Sequence, residues 1–213
     1  MPVLDEHVAR YLNDLRPERP AVMKEMEALA EREGIPIVYW ETGRFLATLV
    51  RALDARLVLE VGTAIGYSTL HMAEVLGRGK IVTIERDRLR FEQARGFMNR
   101  AGVGDRVEVI EGDALEVIGG LEGPFDLVFV DASKEEYPEY VRLAEPKCSE
   151  RAVLVIDNLL MFGEVALPGG ATKYWSEEKL DTARSMSREL LRSGRWLGSV
   201  LPIGDGVGFA VRL

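Results

Sequence analysis

The 213-residue sequence has one cysteine, Cys148, so it can form neither an intrachain disulfide nor a cysteine-cluster zinc site. A reducing, cytoplasmic address fits that count. Long hydrophobic runs are missing too, since none approaches the roughly 20 apolar residues of a membrane-spanning helix. The opening Met1-Pro2-Val3-Leu4-Asp5-Glu6-His7 lacks the basic flank and apolar core of a secretory signal, and none is expected. Amides are scarce: Asn and Gln together number four, while 21 of the 27 cations are Arg. Few amides would suit a hot-growing source, and genomic base bias explains the arginines equally well. Positive charge is outnumbered, with 27 Lys and Arg against 35 Asp and Glu and a formal net charge of −8. That balance disfavours a surface that grips nucleic acid everywhere, although a local basic patch remains open.

What is present is the balance of a soluble globular protein, 47% hydrophobic and 29% charged, without repeats or long linkers. One domain over residues 1–213 is expected, with 1–55 as a helical cap and 56–213 as an α/β core. Val8, Tyr11, Leu12 and Leu15 recur at helical spacing in the cap, before Pro17 and Pro20. A second helix is predicted over Ala21 to Arg32 and a third from near Glu41, carrying Phe45, Leu46, Leu49, Val50 and Leu53. From Leu57 onward, short apolar runs alternate with amphipathic segments. The runs Leu57–Val61, Lys80–Ile84, Arg106–Ile110, Asp126–Val130 and Ala152–Ile156 suit parallel strands buried on both faces. Helical stretches between them predict a doubly wound α/β sheet. Trp196–Leu201 and Val207–Leu213, joined by a Gly/Asp turn, predict an antiparallel hairpin at the sheet edge.

Ligands of open parallel sheets bind beyond the carboxyl ends of the strands. The residues there are Glu60-Val61-Gly62-Thr63-Ala64-Ile65-Gly66-Tyr67-Ser68, then Glu85, Gly112-Asp113-Ala114, Asp131 and Asp157-Asn158. Acids at strand ends are often helix caps, but five in register on one edge point to a site. A dinucleotide loop would read G-x-G-x-x-G; here a glutamate precedes Gly62 and the next glycine is four residues on. Glu60 would repel a phosphate and welcome an ammonium, which suits S-adenosylmethionine. Glu85 would accept from the ribose hydroxyls and Asp113 from the adenine amino group. Asp131, Asp157 and Asn158 form an all-oxygen set suited to Mg²⁺ first, and also to Mn²⁺ or Ca²⁺. Asp157-Asn158 as a plain turn is the structural alternative. Lys134, three residues after Asp131, is either a solvated helix-start lysine or a general base with its pKa lowered near a cation.

On these residues the sequence resembles the class I S-adenosylmethionine-dependent methyltransferases, specifically the cation-dependent O-methyltransferases of catechol and caffeoyl-CoA type. The likeness rests on the Glu60–Ser68 and Gly112–Ala114 motifs and on Phe129-Val130-Asp131-Ala132-Ser133-Lys134 with Tyr137. It extends through Ile156-Asp157-Asn158-Leu159-Leu160 with Gly163-Glu164-Val165, and through Leu201-Pro202-Ile203-Gly204-Asp205-Gly206. It implies a Rossmann-like, seven-stranded, mostly parallel sheet with an antiparallel last strand, helices on both faces and an N-terminal helical extension. It also implies that the extension folds over cofactor and acceptor. Val38 would lie near the methionine moiety, Ser68 near its carboxylate, and the cofactor set would include Gly62, Thr63, Ala64, Gly66, Tyr67, Gly112, Ala114 and Asp131. A homodimer is the family expectation. Within the family, Tyr11 to Pro20 and Thr83-Ile84-Glu85-Arg86 are similar to the bacterial tRNA 5-hydroxyuridine methyltransferases. Two stretches depart from the pattern. Cys148-Ser149-Glu150-Arg151-Ala152 stands where Gly-Gly is usual, and Leu167-Pro168-Gly169-Gly170-Ala171 stands where a basic stretch is usual.

The mechanism so implied has an acceptor with two adjacent oxygens at Asp131, Asp157 and Asn158. Lys134 takes a hydroxyl proton and the oxyanion attacks the sulfonium methyl in line. A catechol-like small phenol and 5-hydroxyuridine of a tRNA anticodon both offer such oxygens. Tyr39, Trp40, Met161, Phe162 and Trp175 are acceptor-pocket or core residues on equal terms. Arg86, Arg88, Arg90, Arg95 and Arg100 are a solvated helix face or an RNA-facing patch. His7 and His71 receive no chemistry. The rival readings are a non-catalytic S-adenosylmethionine-binding protein and a nicotinamide oxidoreductase. The catalytic set opposes the first; Glu60 and the glycine spacing oppose the second.

Overall fold

A computed structural model describes residues 5–167 and 173–213. The first four residues and 168–172 lie outside it, and with them Met1 to Leu4 of the signal reading and all but Leu167 of the Leu167–Ala171 departure. Three helices open the chain: α1 (Glu6–Asp14), α2 (Ala21–Glu33) and α3 (Trp40–Leu53). Strands and helices then alternate as β1 (Leu57–Val61), α4 (Tyr67–Val75), β2 (Lys80–Glu85), α5 (Arg88–Arg100), β3 (Val107–Glu111), α6 (Ala114–Gly120) and β4 (Phe125–Val130). The rest is α7 (Tyr137–Ala144), β5 (Cys148–Ile156), α8 (Glu177–Arg192), β6 (Trp196–Leu201) and β7 (Val207–Arg212).

The seven strands lie in the order β3-β2-β1-β4-β5-β7-β6. The first five run parallel, and β7 is antiparallel to both β5 and β6. Side chains alternate across a strand, and the core divides accordingly. Val58, Leu127, Phe129, Val153 and Val155 join one apolar cluster with Met26 of α2, Leu46 of α3, Leu70 of α4 and Phe97 of α5. Their sequence neighbours Leu59, Val128, Val130, Leu154 and Ile156 join another with Ile118 of α6, Val141 of α7 and Leu180 of α8. Burial on both faces is why these strands read as unbroken apolar runs.

Three expectations need correction. The third run is an edge strand with Glu108 and Glu111 exposed, so only part of it is buried. β5 starts four residues before Ala152, because Cys148 already pairs with Phe125 ahead of a register shift. The apolar stripe of α1 is not buried: Val8 is 46%, Tyr11 63% and Leu15 59% exposed, since the sheet's faces are already covered by other helices. Among the described residues no helix is long and apolar enough to cross a membrane.

Candidate active site

The chain winds from β1 out to β3 and then returns to lay β4 beside β1. A cavity of about 680 Å³ opens at the carboxyl ends of the strands around this reversal. That volume falls in the range of cofactor and small-molecule sites.

One end is built by the β1–α4 loop. Gly62 adopts φ 101° and passes so close to β4 that a Cβ there would stand 2.2 Å from the Asp131 carbonyl oxygen, so only glycine fits. Thr63, Ala64, Tyr67 and Ser68 face the cavity, as does Val38 from the segment before α3. Gly66 does not line it; it turns the chain into α4 with φ 88°. Glu85 lines the wall, its carboxylate accepting from the Ala64 amide at 2.7 Å and the Asp87 amide at 2.8 Å. Gly112, Asp113 and Ala114 complete this end. Asp113 also caps α6, accepting from the Leu115 amide at 2.8 Å, so cap and wall residue are one.

Glu60 is the exception. It is fully buried beneath the loop and absent from the cavity wall. Ser68 donates to it at 2.6 Å, Thr83 at 2.6 Å, and Thr69 donates as well. Burial pushes its carboxyl up to about 7 against the pull of these three hydroxyls. The expected direct contact of Glu60 with an ammonium is therefore replaced by a role under the loop, where it ties β1, β2 and α4 together.

The other end gathers Asp131, Lys134, Asp157 and Asn158. Lys134 donates to Asp131 Oδ1 at 2.7 Å. Burial works to lower the lysine's pKa, but the Asp131 carboxylate and Tyr137 outweigh it and the net shift is upward. With Asp131 as its ion-pair partner the lysine is held as the ammonium; the expected lowering belongs to the site with a cation beside it. Asp157 is 2% exposed, and its Oδ1 has no hydrogen-bond partner. Burial, and then the charge of Asp131, push its carboxyl up to about 8. Asn158 sits in the left-handed region with φ 61° and donates from Nδ2 to Asp205 Oδ2 at 3.3 Å. Among the described residues no three of His, Cys, Asp and Glu form a metal cluster; the oxygen set here is two carboxylates and a carboxamide.

Two contributors stand in motifs of the resemblance but had no role assigned from the sequence. Asp205, in what reads as a hairpin turn, is buried, lines the cavity, and accepts from both Asn158 and the Phe162 amide. Glu164 accepts from the Lys173, Tyr174 and Trp175 amides and so pins the segment after the short turn Met161–Ala166. Their signal was only a Gly-flanked aspartate and an acid beside Gly163.

Of the aromatic candidates, Tyr39, Phe162 and Trp175 line the cavity. Met161 is core, and Trp40 points to Asn13 at 2.9 Å with Arg16 over its ring. In the arginine series, Arg86 and Arg90 reach the cavity, Arg100 pairs with Glu25 at 2.6 Å, and Arg95 lies 3.9 Å from Glu92. His71 packs edge-on against Tyr67 with ring centroids 4.9 Å apart, while His7 is exposed.

Comparison with known proteins bears on this geometry. The profile of a family described as O-methyltransferase matches residues 14–213. A catechol O-methyltransferase of Mycobacterium tuberculosis is 44% identical over 127 residues, which is 59% of this chain and 58% of that enzyme. A caffeoyl-CoA O-methyltransferase of Petroselinum crispum is 30% identical over 92% of this chain and 86% of its own length. The crystal structure of an O-methyltransferase from Bacillus cereus in complex with SAH superposes with a TM-score of 0.84 at 28% identity, covering 97% of both chains.

Proposed function

The chain belongs to the O-methyltransferase family, and from that premise we propose that it moves the methyl group of S-adenosylmethionine to a phenolic hydroxyl with a second oxygen beside it. One observation carries the reading. Asp131, Asp157, Asn158 and Lys134 converge at one end of a cavity whose other end is the Gly62–Ser68 loop with Glu85.

In this reading Glu85 accepts from the ribose hydroxyls and Asp113 from the adenine amino group. The cofactor carboxylate meets Ser68 and the amides at the start of α4. The ammonium goes to Asp131, whose backbone packs against Gly62 and which lines the cavity, because Glu60 is out of reach. The donor set at the acceptor end fits a divalent cation. Its oxygens are hard ligands, one of them is buried without a partner, and two carboxylates there repel each other. Asp131, Asp157 and Asn158 would hold the ion, Mg²⁺ first. Bound there, it supplies Lewis-acid polarisation of the acceptor hydroxyl.

The chain's own residues supply the rest. Asp205 accepts from the Asn158 amide nitrogen, which leaves the carboxamide oxygen as the atom of Asn158 that would serve as a ligand. Once the charge of Asp131 is drawn to another partner, the Lys134 ammonium would release its proton to solvent, and the neutral Nζ would then take the hydroxyl proton. The oxyanion then forms the new C–O bond as the S–C bond breaks, leaving S-adenosylhomocysteine. Holding both reactants in line is the main contribution, since the donor methyl is already activated.

A small catechol-like acceptor is preferred over a tRNA wobble uridine, because a formal net charge of −8 disfavours a surface that grips nucleic acid. The names of the two enzymes above support the same choice. A homodimer is supported by the exposed apolar face of α1 and is checked by sedimentation. The decisive experiment mixes protein, S-adenosylmethionine and catechol with Mg²⁺. Guaiacol and S-adenosylhomocysteine should accumulate, stop with EDTA, and resume on Mg²⁺ addition. Undiminished transfer in EDTA and in Lys134→Ala would overturn the mechanism.

A further inference from the structure

At the acceptor end of the cavity one cation is set apart from the reacting groups. Lys179, in the first turn of α8, lines the cavity beside Phe162 and Trp175. Its Nζ lies 5.9 Å from the Trp175 ring centroid and 3.3 Å from Glu135 Oε1. Glu135 also lines the cavity and directly follows Lys134 in the chain. The remaining cations on the described wall are committed elsewhere. Lys134 is held by Asp131 at 2.7 Å, and Arg86 and Arg90 stand at the Glu85 end. Nor does the stretch at 168–172, Pro-Gly-Gly-Ala-Thr, add any charge.

Phe162 and Trp175 stand 6.0 Å apart between centroids and are tilted by 30°, a wall that suits a flat ring. The Trp175 indole N–H is buried and has no partner among the described residues. The Lys179–Glu135 contact is a weak one. Both side chains are about a third exposed (34% and 37%), and such pairs exchange readily for another anion. A protein of net charge −8 repels anionic ligands at long range, so an acceptor carrying negative charge needs a local cation. Resting on the methyl-transfer reading above, we propose that the acceptor is a catechol whose ring bears an anionic tail, such as a carboxylate. Lys179 takes that tail in exchange for Glu135, with the ring against Phe162 and Trp175 and the diol toward Asp131 and Asp157.

The test compares three acceptors on the intact protein with S-adenosylmethionine and Mg²⁺: 3,4-dihydroxyphenylacetate, the neutral 4-methylcatechol and the cationic dopamine. The carboxylate should have a KM about three- to tenfold below that of 4-methylcatechol, with dopamine poorest, and added KCl should shrink the gap. Lys179→Met should raise KM for the carboxylate and erase the preference, Lys179→Arg should restore it, and Glu135→Gln should widen it. Equal KM for the three acceptors, or a Lys179→Met loss equal for all three and appearing in kcat, would overturn the assignment. In the second outcome Lys179 merely pins α8 to the turn at Lys134–Glu136. Transfer to none of the three would instead overturn the methyl-transfer reading itself.

Discussion

The two ends of the cavity are finished differently. Under the β1–α4 loop the buried carboxylates and hydroxyls are partnered by one another and by the backbone. Glu60 takes three hydroxyls, Glu85 takes two amides, and the Thr63 and Thr83 hydroxyls meet at 2.6 Å. Across the cavity, Asp157 Oδ1 and Trp175 Nε1 are buried and unpartnered among the described residues. Met161 and Phe162 there hold φ values of 46° and 54°, unfavourable for bulky residues. The difference separates a frame from a workplace. The first end is rigid because its hydrogen bonds are internal; the second leaves its bonding capacity for something that arrives.

Substitutions should therefore have opposite signs at the two ends. The largest effect is expected for Asp157→Asn, which keeps the shape and removes a buried charge beside Asp131. Catalytic efficiency should fall on the order of 10²-fold or more. Without added cation and at pH above about 8, where the Asp157 carboxyl is ionised beside Asp131, the fold should gain about 1 kcal/mol, because the repulsion between two carboxylates is gone. Paired activity and chemical-denaturation measurements in EDTA check both halves. A variant that loses stability along with activity would erase the contrast.

Next in size is Glu60. Glu60→Ala leaves Ser68, Thr69 and Thr83 without their acceptor and should cost about 2–4 kcal/mol. Glu60→Gln tests the charge alone. The folded-state carboxyl is pushed up to about 7 from an ordinary 4.5. The native protein thus keeps a proton that the unfolded chain releases, and stability should fall as pH rises from 4.5 to 7 and then level off. Glu60→Gln should flatten that part of a melting-temperature profile while changing S-adenosylmethionine affinity little. A profile equally steep in variant and parent, or a large loss of affinity, would return Glu60 to the cavity wall.

The same contrast explains what was legible in the sequence. The frame was, because β1, β2, β4 and β5 are buried on both faces and must be spelled in unbroken apolar residues. The strand-end motif residues Gly62, Glu85, Asp113 and Asp131 followed from the rule that ligands sit at strand ends. Which carboxylate faces the cavity was not legible. Glu60 and Asp131 both sit at strand ends, and only packing tells that one lies under the loop and the other on the wall. Asp205 stayed hidden because an aspartate between glycines reads as turn chemistry. Periodicity likewise reports the apolar stripe of α1 and not what covers it.

The smallest effect tests how far the frame reaches into the N-terminal segment. Glu27 of α2 accepts from Arg16, from Arg19 at 2.9 Å and from the Tyr67 hydroxyl at 2.7 Å, and Arg16 donates to that hydroxyl at 2.8 Å. Tyr67 is the first residue of α4 and lines the cavity, so the segment before α2 is fastened to the cofactor loop through one phenol. Tyr67→Phe keeps the ring and its contact with His71 but removes both bonds. If the fastening belongs to the frame, S-adenosylmethionine binding by calorimetry should weaken by about two- to fivefold, with the KM for the acceptor unchanged. A shift in acceptor KM with cofactor affinity intact would assign the N-terminal segment to the open end of the cavity instead, and the division between frame and workplace would have to be redrawn through Tyr67.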